Sequence, residues 1–428
     1  MAERPGSRVW SPFTQMKMAT PTLAVRSGVG AILELEDGRR LLDCISSWWV
    51  TLHGHGQAEI VAAIAAQAQK LEQVLAAGFT HRPAEELARR LTGQLPGPLQ
   101  WVFYSDDGST AVEVALKLAY QFWRNKGEVG RRRFLRLEGA YHGDTLGAMS
   151  VGERSLFTRA FADLLFPAKA VPFPATWEGD GEVEAKEAKA LATLQEVLAQ
   201  HPGEYAAMII EPLVQGAGGM RMCRPQFLAA LHRLLRKNDV LAIYDEVLTG
   251  FGRTGAFFAC EKAVTEPDIV CLAKGLTGGF LPLAATVCND RVFDAFYCDE
   301  PDKAFYHGHS YTANPLGCAA ALASWELLAA EPFRRLADWQ QEQAVRLLGN
   351  ESLARVRVCG TIVAVDVRVD GEEGYLHRIG PLLRERFLAR GFLLRPLGNT
   401  IYVLPPYCID RSQLRSIYDA LFELVDEL

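Results

Sequence analysis

Several features are missing from this sequence, and each absence excludes a class of protein. No apolar run approaches the roughly 18–20 residues that a membrane helix needs, and the first eight residues contain no apolar core of a signal peptide. Basic residues are not in excess. The net charge of -6 argues against a nucleic-acid binder or a basic membrane-surface protein. Low-complexity linkers and internal repeats are also absent.

Cysteine and metal-ligand patterns are sparse as well. The nine cysteines are odd in number, scattered, and form no C-x-x-C pair. They predict reduced thiols in a reducing compartment, which we take to be the cytoplasm. His53 and His55 stand two residues apart, but no cysteine or acidic pattern completes a metal site around them. The sequence therefore predicts no bound metal.

What is present describes an enzyme-sized globular chain. Its 428 residues, 49% of them hydrophobic, can bury a large core in two or three domains. Asp37-Gly38 predicts a hairpin turn, and from about Trp325 leucine- and arginine-rich helices predict a separate α+β lobe. Between these, short apolar runs alternate with helical periodicity, which is typical of βα units and a mainly parallel sheet. The predicted strands include 101–104, 206–210, 240–244, 269–273 and 361–367, and the best-defined helix spans 110–123.

Polar residues follow several predicted strands at their carboxyl ends, where parallel sheets collect their sites. Asp245 and Lys274 each close an apolar run, and Ser105, Tyr141 and Glu211 occupy similar positions. An acid and a lysine in apolar surroundings are costly unless they serve a common site. A pyridoxal phosphate (PLP) site needs such a pair, because its lysine forms a Schiff base and its carboxylate pairs with the pyridine nitrogen. Taken alone, the pair also fits a turn cap and a solvated strand end.

Two glycine-containing turns suggest anion sites of different kinds. The turn 105–109 lies between a predicted strand and a helix start, where free N–H groups and the helix dipole favour a phosphate. A plain helix N-cap is the alternative. The segment 250–255 fits G-x-G-x-x-G, but it neither follows its strand directly nor opens a clean helix. A nicotinamide dehydrogenase is therefore not predicted.

Ordered motifs extend this pattern along nearly the whole chain. They are PFTQM at 12–16, SSWW at 46–49, DDGSTAVEVALK at 106–117, YHGDTLGAMS at 141–150, IIEPLVQGAGGM at 209–220, YDEVLTGFGRTG at 244–255, LAKGLTGG at 272–279, HGHSYTANPLG at 307–317 and RPLGNTIYVLPPY at 395–407. With these motifs the chain resembles the fold-type I, class III PLP-dependent aminotransferases. The resemblance implies an α/β fold with an N-terminal arm and part of the small domain at 1–55. It further implies a large PLP-binding domain with a mainly parallel mixed sheet at 56–325, and a small α+β domain at 326–428.

The resemblance implies roles for residues around the cofactor. Lys274 would form the Schiff base and shuttle a proton, Asp245 would pair with the pyridinium nitrogen, and Tyr141 would stack on the ring. Gly108 and Ser109 would bind the phosphate. The segment Gly308, His309 and Ser310 would reach the cofactor and substrate of the neighbouring subunit, so a homodimer is implied.

A substrate site is implied in the same way. Its members would be Phe13, Trp48, Tyr141, Asp144, Lys274, Gly308, Arg395 and Tyr402. Arg395 would act as a bidentate clamp on a substrate carboxylate.

Within the family, the motifs look like those of the aminotransferases of biotin biosynthesis. That resemblance implies ping-pong transfer of an amino group onto 8-amino-7-oxononanoate, giving 7,8-diaminononanoate. Ala217 stands where glutamate-using transaminases often carry a glutamate, which disfavours the second interpretation, an ornithine- or GABA-type enzyme. An inactive family member with a binding role is a further alternative, but it would have lost Lys274 or Asp245.

The amino donor is left open between two molecules. S-adenosylmethionine is the expected donor and Tyr402 matches the enzymes that use it, whereas Phe13 and the stretch 307–312 look more like lysine-using relatives. Phe13 stands where a tyrosine is usual in adenosylmethionine-using enzymes. The missing hydroxyl removes one hydrogen bond, which typically contributes about 0.5–1.5 kcal/mol, but leaves a ring that can stack on adenine.

Overall fold

The structure is a computed structural model that describes residues 8–18, 20, 22–371, 373–375 and 377–428. Within them the strands are β1 (Val25–Val29), β2 (Ile32–Leu35), β3 (Arg40–Asp43), β4 (Leu99–Ser105), β5 (Arg133–Leu137), β6 (Ala168–Val171), β7 (Tyr205–Ile210), β8 (Val214–Gln215), β9 (Arg221–Met222), β10 (Leu241–Asp245), β11 (Ile269–Leu272), β12 (Ala284–Asn289), β13 (Leu353–Cys359), β14 (Ile362–Val367), β15 (Phe392–Leu393) and β16 (Thr400–Val403). The α-helices are α1 (Ser46–Trp49), α2 (Ala58–Ala68), α3 (Arg82–Gln94), α4 (Gly108–Asn125), α5 (Leu146–Ser150), α6 (Val183–Gln200), α7 (Pro225–Lys237), α8 (Ala259–Ala263), α9 (Asp290–Asp294), α10 (Pro315–Leu328), α11 (Pro332–Leu347), α12 (Ile379–Ala389) and α13 (Arg411–Asp426). Short 3-10 turns lie at Arg159–Leu164, Lys274–Thr277 and Pro301–Lys303.

A seven-stranded sheet forms the centre of the molecule, in the order β4-β12-β11-β10-β7-β5-β6. Strand β12 is antiparallel to β11 and to β4, and the other pairs are parallel. Every residue of β7 and β10 is buried. Unbroken apolar runs suit such strands, because helices cover both faces of a parallel sheet. The predicted mainly parallel sheet is confirmed, and each predicted strand is present within two residues of its expected bounds.

Helix α4 places its N-terminal end at the carboxyl end of β4. Asp107 starts the helix by accepting a hydrogen bond from the Thr110 amide at 3.0 Å, and Thr110 caps the backbone of Asp107 in return. Val114, Leu118 and Phe122 form the buried face, as their spacing of four residues requires. The helix begins at Gly108, two residues earlier than the sequence predicts, because the cap is Asp107 rather than a later residue.

The two ends of the chain meet in smaller sheets. Strands β2 and β3 form the hairpin predicted at Asp37-Gly38. Strand β3 then pairs in parallel with β15, so the N-terminal strands share a sheet with the C-terminal part of the chain. Strands β13, β14 and β16 form a further antiparallel sheet, covered by α11.

The domain bounds at 55 and 325 stay a prediction. Residues 1–7 of the predicted arm lie outside the described residues, and α10 continues across position 325 to Leu328. Among the helices of the described chain, none has both the length and the apolar character that a bilayer crossing requires.

Candidate active site

Lys274 lies on the common wall of two cavities, of about 470 and 780 Å³. The smaller cavity opens at the carboxyl ends of the central strands, and the larger one extends towards Arg395. Four of the five residues expected at this edge line the smaller cavity: Tyr141, Glu211, Asp245 and Lys274. Ser105 is the exception. Ser105 is fully buried at the end of β4. The residues that follow it, from Asp106 onward, line the cavity in its place.

Asp245 is the last residue of β10, and its two carboxylate oxygens have separate partners. Oδ1 accepts a hydrogen bond from the Val247 amide at 3.1 Å, which is the turn cap considered as an alternative from the sequence. Oδ2 lies 2.7 Å from Nδ1 of His142, and both side chains are buried. A carboxylate with a buried histidine partner at hydrogen-bond distance is fixed in orientation. The carboxylate is thus both a local cap and part of the cavity floor.

Lys274 lies two residues after the end of β11 and opens a short 3-10 turn. Burial lowers the pKa of its amine, against the attraction of the Asp245 and Glu211 carboxylates, which raises it. Its Nζ atom lies 5.1 Å from the centre of the Trp49 ring and makes no hydrogen bond or ion pair with any residue that the structure describes. A lysine amine that is buried, unpaired and more easily deprotonated than usual is suited to nucleophilic and proton-transfer chemistry.

Glu211 joins the two loops that form the back of the smaller cavity. One carboxylate oxygen accepts from the Gly216 amide at 3.1 Å and the other from the Tyr141 amide at 3.0 Å. Burial raises the pKa of Glu211 to about 7, a change that His142 opposes and Asp245 reinforces. The side chain therefore holds the backbone that carries Tyr141 in place.

The N-terminal end of α4 forms the opposite side of this cavity. Gly108 and Ser109 line it, and the Asp107 side chain is occupied as the plain cap. The phosphate site at this turn stays a prediction, with which the cap is compatible. A Cβ atom at Gly108 would lie 2.7 Å from Val247, and one at Gly143 would lie 2.1 Å from the Ser109 hydroxyl. Such approaches are too close for any side chain, so glycine is required where the two loops meet the helix end.

These groups fit pyridoxal phosphate. An unpaired amine, Lys274, would hold the aldehyde carbon, and the buried carboxylate of Asp245 would face the ring nitrogen. The N-terminal end of an 18-residue helix would receive the phosphate. Tyr141, whose hydroxyl donates to Asp144 at 2.9 Å, would place its ring against the cofactor ring.

The larger cavity contains the predicted substrate residues. The Arg395 guanidinium lies 4.5 Å from the Trp48 ring centre, and the Phe13 ring lies 5.7 Å from the same tryptophan. Tyr402 lines the cavity but is nearly fully buried, and its hydroxyl accepts a hydrogen bond from Trp49 Nε1 at 3.0 Å. Seven of the eight predicted substrate residues line this cavity: Phe13, Trp48, Tyr141, Asp144, Lys274, Arg395 and Tyr402.

The four-residue element α1 (Ser46–Trp49) is a strained, largely non-helical turn that carries the two tryptophans. Ser46, Ser47 and Trp49 all have positive φ angles, of 51°, 58° and 67°, a conformation that costs side-chain-bearing residues energy. The buried carboxylate of Asp43 holds the turn. It accepts hydrogen bonds from the Ser47 amide at 2.7 Å and from the Ser47 hydroxyl at 3.0 Å, and it lies 3.0 Å from His55 Nε2. Sequence reasoning did not identify Asp43, because its partners are set by the folded turn and not by a motif.

The segment from Gly308 to Ser310 lines neither cavity of its own described chain. His309 Nδ1 lies 3.7 Å from the Asp106 carboxylate, at the rim of the smaller cavity, and the Ser310 carbonyl accepts from Gln73 at 2.7 Å. A role in the neighbouring subunit's site therefore stays a prediction.

The other motifs that drew attention in the sequence have structural partners. His53 Nε2 lies 2.9 Å from the Ser324 hydroxyl, and His55 belongs to the Asp43 cluster. In the segment 250–255, a Cβ atom at Gly252 would lie 2.3 Å from Phe333. The buried Arg253 donates to the carbonyls of Trp49 and Pro405. This segment thus supports the tryptophan turn.

Comparison with known proteins identifies the family. The family model described as "Aminotransferase class-III" matches residues 14–425. The chain belongs to this family. It is a transaminase, and its cofactor is pyridoxal phosphate.

Individual relatives match over nearly their whole length. A protein of Synechococcus elongatus named adenosylmethionine-8-amino-7-oxononanoate aminotransferase is 55% identical over 98% of this chain and 99% of that protein. A Geobacter sulfurreducens protein of the same name is 41% identical over 96% and 94%. The crystal structure of the Methanocaldococcus jannaschii protein of that name superposes with a TM-score of 0.91 at 36% identity, over 98% of this chain and 97% of that one. A PLP-bound amine transaminase from an uncultivated Pseudomonas species reaches 0.90 at 32% identity, over 98% of each chain.

Proposed function

We propose that this enzyme transfers an amino group to the ketone of 8-amino-7-oxononanoate, giving 7,8-diaminononanoate in biotin biosynthesis. S-adenosylmethionine is the proposed donor, and the two substrates react in turn. The observation that carries the proposal is the position of Lys274 between a cavity suited to PLP and a larger one that contains Arg395. The names of the relatives at 55% and 41% identity support the choice of substrates.

On the cofactor side, residues of this chain would orient the cofactor, hold the loop beside it in place and move a proton. The chemistry that bound PLP would supply is an acceptor for the amino group and an electron sink for the substrate carbon. Asp245, held by His142 at 2.7 Å, would hold a proton on the ring nitrogen of the bound cofactor. Lys274 would move a proton between the substrate carbon and the cofactor carbon that carries the amino group. A lowered amine pKa is an advantage for this transfer near neutral pH. Glu211 accepts a hydrogen bond from the Tyr141 amide and so fixes the loop in which the Tyr141 ring forms one side of the cavity.

On the substrate side, Arg395 is the proposed partner of the keto acid's carboxylate. Its guanidinium stacks over Trp48, which leaves the N–H edges free to form two parallel hydrogen bonds to a carboxylate. Trp49 and Tyr402 hold each other in place through their hydrogen bond and border the space between Arg395 and Lys274.

There are two alternatives, one a different transaminase reaction and the other the same reaction with a different donor. An ornithine- or GABA-type enzyme is disfavoured because Ala217, which lines both cavities, offers no carboxylate at the position where glutamate-using relatives often carry one. Lysine remains the alternative donor for the same reaction, because Phe13 lacks the hydroxyl of the usual tyrosine.

We further propose that the enzyme works as a homodimer in the cytoplasm. The exposed position of the segment around Ser310, outside its own cavities, supports a role in a partner's site. The free state of all nine cysteines agrees with a reducing compartment. Light scattering of the purified holoenzyme should give twice the chain mass, and a monomer mass would contradict the dimer.

The test of the function is a set of half-reactions followed through the visible band of the holoenzyme. S-adenosylmethionine, added without keto acid, should remove the band of the PLP form, and 8-amino-7-oxononanoate should then restore it with formation of 7,8-diaminononanoate. Loss of the band with lysine alone would change the donor. Restoration by 2-oxoglutarate but not by 8-amino-7-oxononanoate would overturn the proposed reaction.

A further inference from the structure

Four aromatic rings form a continuous wall in the larger cavity. Trp48 lies 5.7 Å from Phe13, Phe13 lies 6.2 Å from Phe157, and Phe157 lies 5.2 Å from Tyr375. We call these four residues the aromatic wall. They come from four separate chain segments, and all four line the same cavity as Lys274. Phe157 and Tyr375 belong to none of the motifs that carry the family resemblance.

The rings of the aromatic wall are unusually accessible for residues that pack together. Between 39% and 51% of each residue is exposed, although aromatic residues that contact each other normally bury most of their surface. Contiguous exposed apolar surface inside a cavity is typical of a ligand site. The contacts are edge-on or tilted, so parts of the ring faces remain open to a ligand.

The charged groups of the cavity favour an amino donor that carries an aromatic ring over one, such as lysine, that carries a second amino group. Four described carboxylates line the cavity, and three of them are paired with arginines. Glu153 binds Arg136, and Asp366 and Glu373 bind Arg355.

The fourth carboxylate, Asp144, accepts the Tyr141 hydroxyl and lies next to the reacting end of the cavity. The ε-ammonium of a lysine donor would therefore find no unpaired carboxylate among the described residues at the wall end. A purine can stack on the open rings there, because every nucleobase has a π face.

We infer that Phe157 and Tyr375, together with Phe13 and Trp48, bind the adenine ring of S-adenosylmethionine and so select the donor. This inference rests on the proposed function and deepens it, since it assigns the donor's nucleoside to a defined part of the cavity. The aromatic wall replaces, by stacking, the hydrogen bond that a tyrosine at position 13 would supply.

The experiment uses the holoenzyme and 5′-methylthioadenosine, which carries the adenine and ribose but no amino acid. Calorimetric titration should show binding to the parent enzyme that weakens about five- to fiftyfold in Phe157→Leu and in Tyr375→Leu, because each loses one stacking ring. The KM for S-adenosylmethionine should rise by a similar factor, while the KM for 8-amino-7-oxononanoate stays within twofold. Phe157→Tyr and Tyr375→Phe keep the rings and should restore binding.

Matched controls are the variants Phe161→Leu and Tyr297→Leu, which change exposed aromatic residues outside the cavity lining. Both variants should bind 5′-methylthioadenosine as tightly as the parent enzyme does. Unchanged binding in Phe157→Leu and Tyr375→Leu, or an equal rise in both KM values, would overturn the inference. So would a parent enzyme that ignores 5′-methylthioadenosine and accepts lysine.

A separate measurement distinguishes failure of the inference from failure of the proposed function. 7,8-Diaminononanoate, added alone to the PLP form, should remove its visible band by the reverse half-reaction, which needs no donor. If this succeeds and 5′-methylthioadenosine does not bind, only the role of the aromatic wall is wrong. If 7,8-diaminononanoate has no effect, the proposed reaction itself falls.

Discussion

Replacing Asp43 by asparagine should disable the enzyme through the turn that carries Trp48 and Trp49. The Asp43 side chain is fully buried. Its oxygens accept from the amides of Ile45 at 3.2 Å and Ser47 at 2.7 Å, in addition to the Ser47 hydroxyl and His55. Asparagine keeps the shape but has one accepting oxygen, and its NH₂ group would face N–H donors.

The size of the effect follows from the strain in the turn. Each of its three positive-φ residues costs about 1–3 kcal/mol, and a hydrogen bond to a charged group contributes about 1.5–3 kcal/mol. Loss of one such bond removes about 1.5–3 kcal/mol from the turn, enough to let it relax but less than the roughly 5–15 kcal/mol that stabilise a folded domain. If this free energy is lost from the positioning of Trp48 and Trp49, kcat/KM should drop about 10- to 150-fold, at about 1.36 kcal/mol per factor of ten.

The assay compares kcat/KM and the melting temperature in Asp43→Asn with those in Asp37→Asn. Asp37 is an exposed acid of the neighbouring hairpin, paired with Arg39, so the control makes the same charge change outside the turn. KM should rise for both substrates, because the Trp48 support of Arg395 moves, while far-UV circular dichroism stays that of the parent. An Asp43→Asn enzyme with parental kcat/KM would refute the reasoning, as would a loss of activity that Asp37→Asn shares.

Four further predictions concern single side chains. Lys274→Ala should lose turnover and the visible band of the bound cofactor, because no other amine replaces Nζ. Arg395→Ala should raise the KM for 8-amino-7-oxononanoate at least tenfold, whereas Arg395→Lys should recover only part of it, since lysine cannot form a bidentate pair. His142→Phe should lower kcat and weaken cofactor retention in dialysis, because Asp245 loses its partner at 2.7 Å. Burial lowers the pKa of His53 to about 4, so its contribution to stability is complete above pH 6.5 and is lost as the pH falls towards 4. The parent enzyme should therefore lose up to about 3 kcal/mol over that range relative to His53→Gln in urea unfolding.

Controls for these variants come from residues of the same type outside the site. Lys303→Ala removes a surface lysine paired with Glu300, and Arg368→Ala removes an arginine bonded to the Glu351 carbonyl. Both should leave the kinetics unchanged. A Lys274→Ala enzyme with normal turnover, or parallel stability curves for His53→Gln and the parent between pH 4 and 6.5, would contradict the corresponding assignment.

The sequence could predict residues whose position follows from the sheet alone. Asp245, Glu211 and Lys274 lie at the end of a parallel strand or within two residues after it, and parallel strands present their carboxyl ends at one edge. His142 stands beside the predicted Tyr141 in the chain, yet its partner Asp245 is 103 positions away. The periodicity of the two segments does not predict that contact.

Other parts of the site depend on geometry that no pattern encodes. Asp43 resembles any acid at the end of a strand until the turn after it is folded. Phe157 lies in the loop after α5, and Tyr375 lies in the loop between β14 and α12. Only the packed structure brings the centres of their two rings to 5.2 Å from each other. The segment around Ser310 has its predicted partner in a second chain, so neither the sequence nor one subunit can test it.

The reversed strand β12 has a consequence for how the chain is made. Strand β4, at the edge of the central sheet, pairs with β12 alone, and about 180 residues separate Ser105 from Ala284. At a synthesis rate of about 5–20 residues per second, β4 emerges from the ribosome on the order of ten to forty seconds before its partner. During that time its apolar residues and unpaired amides form an open strand edge, which is prone to pair with other chains. Chains that stop before Ala284 should therefore aggregate, while chains that extend a few dozen residues beyond Asn289 can close the sheet around Lys274.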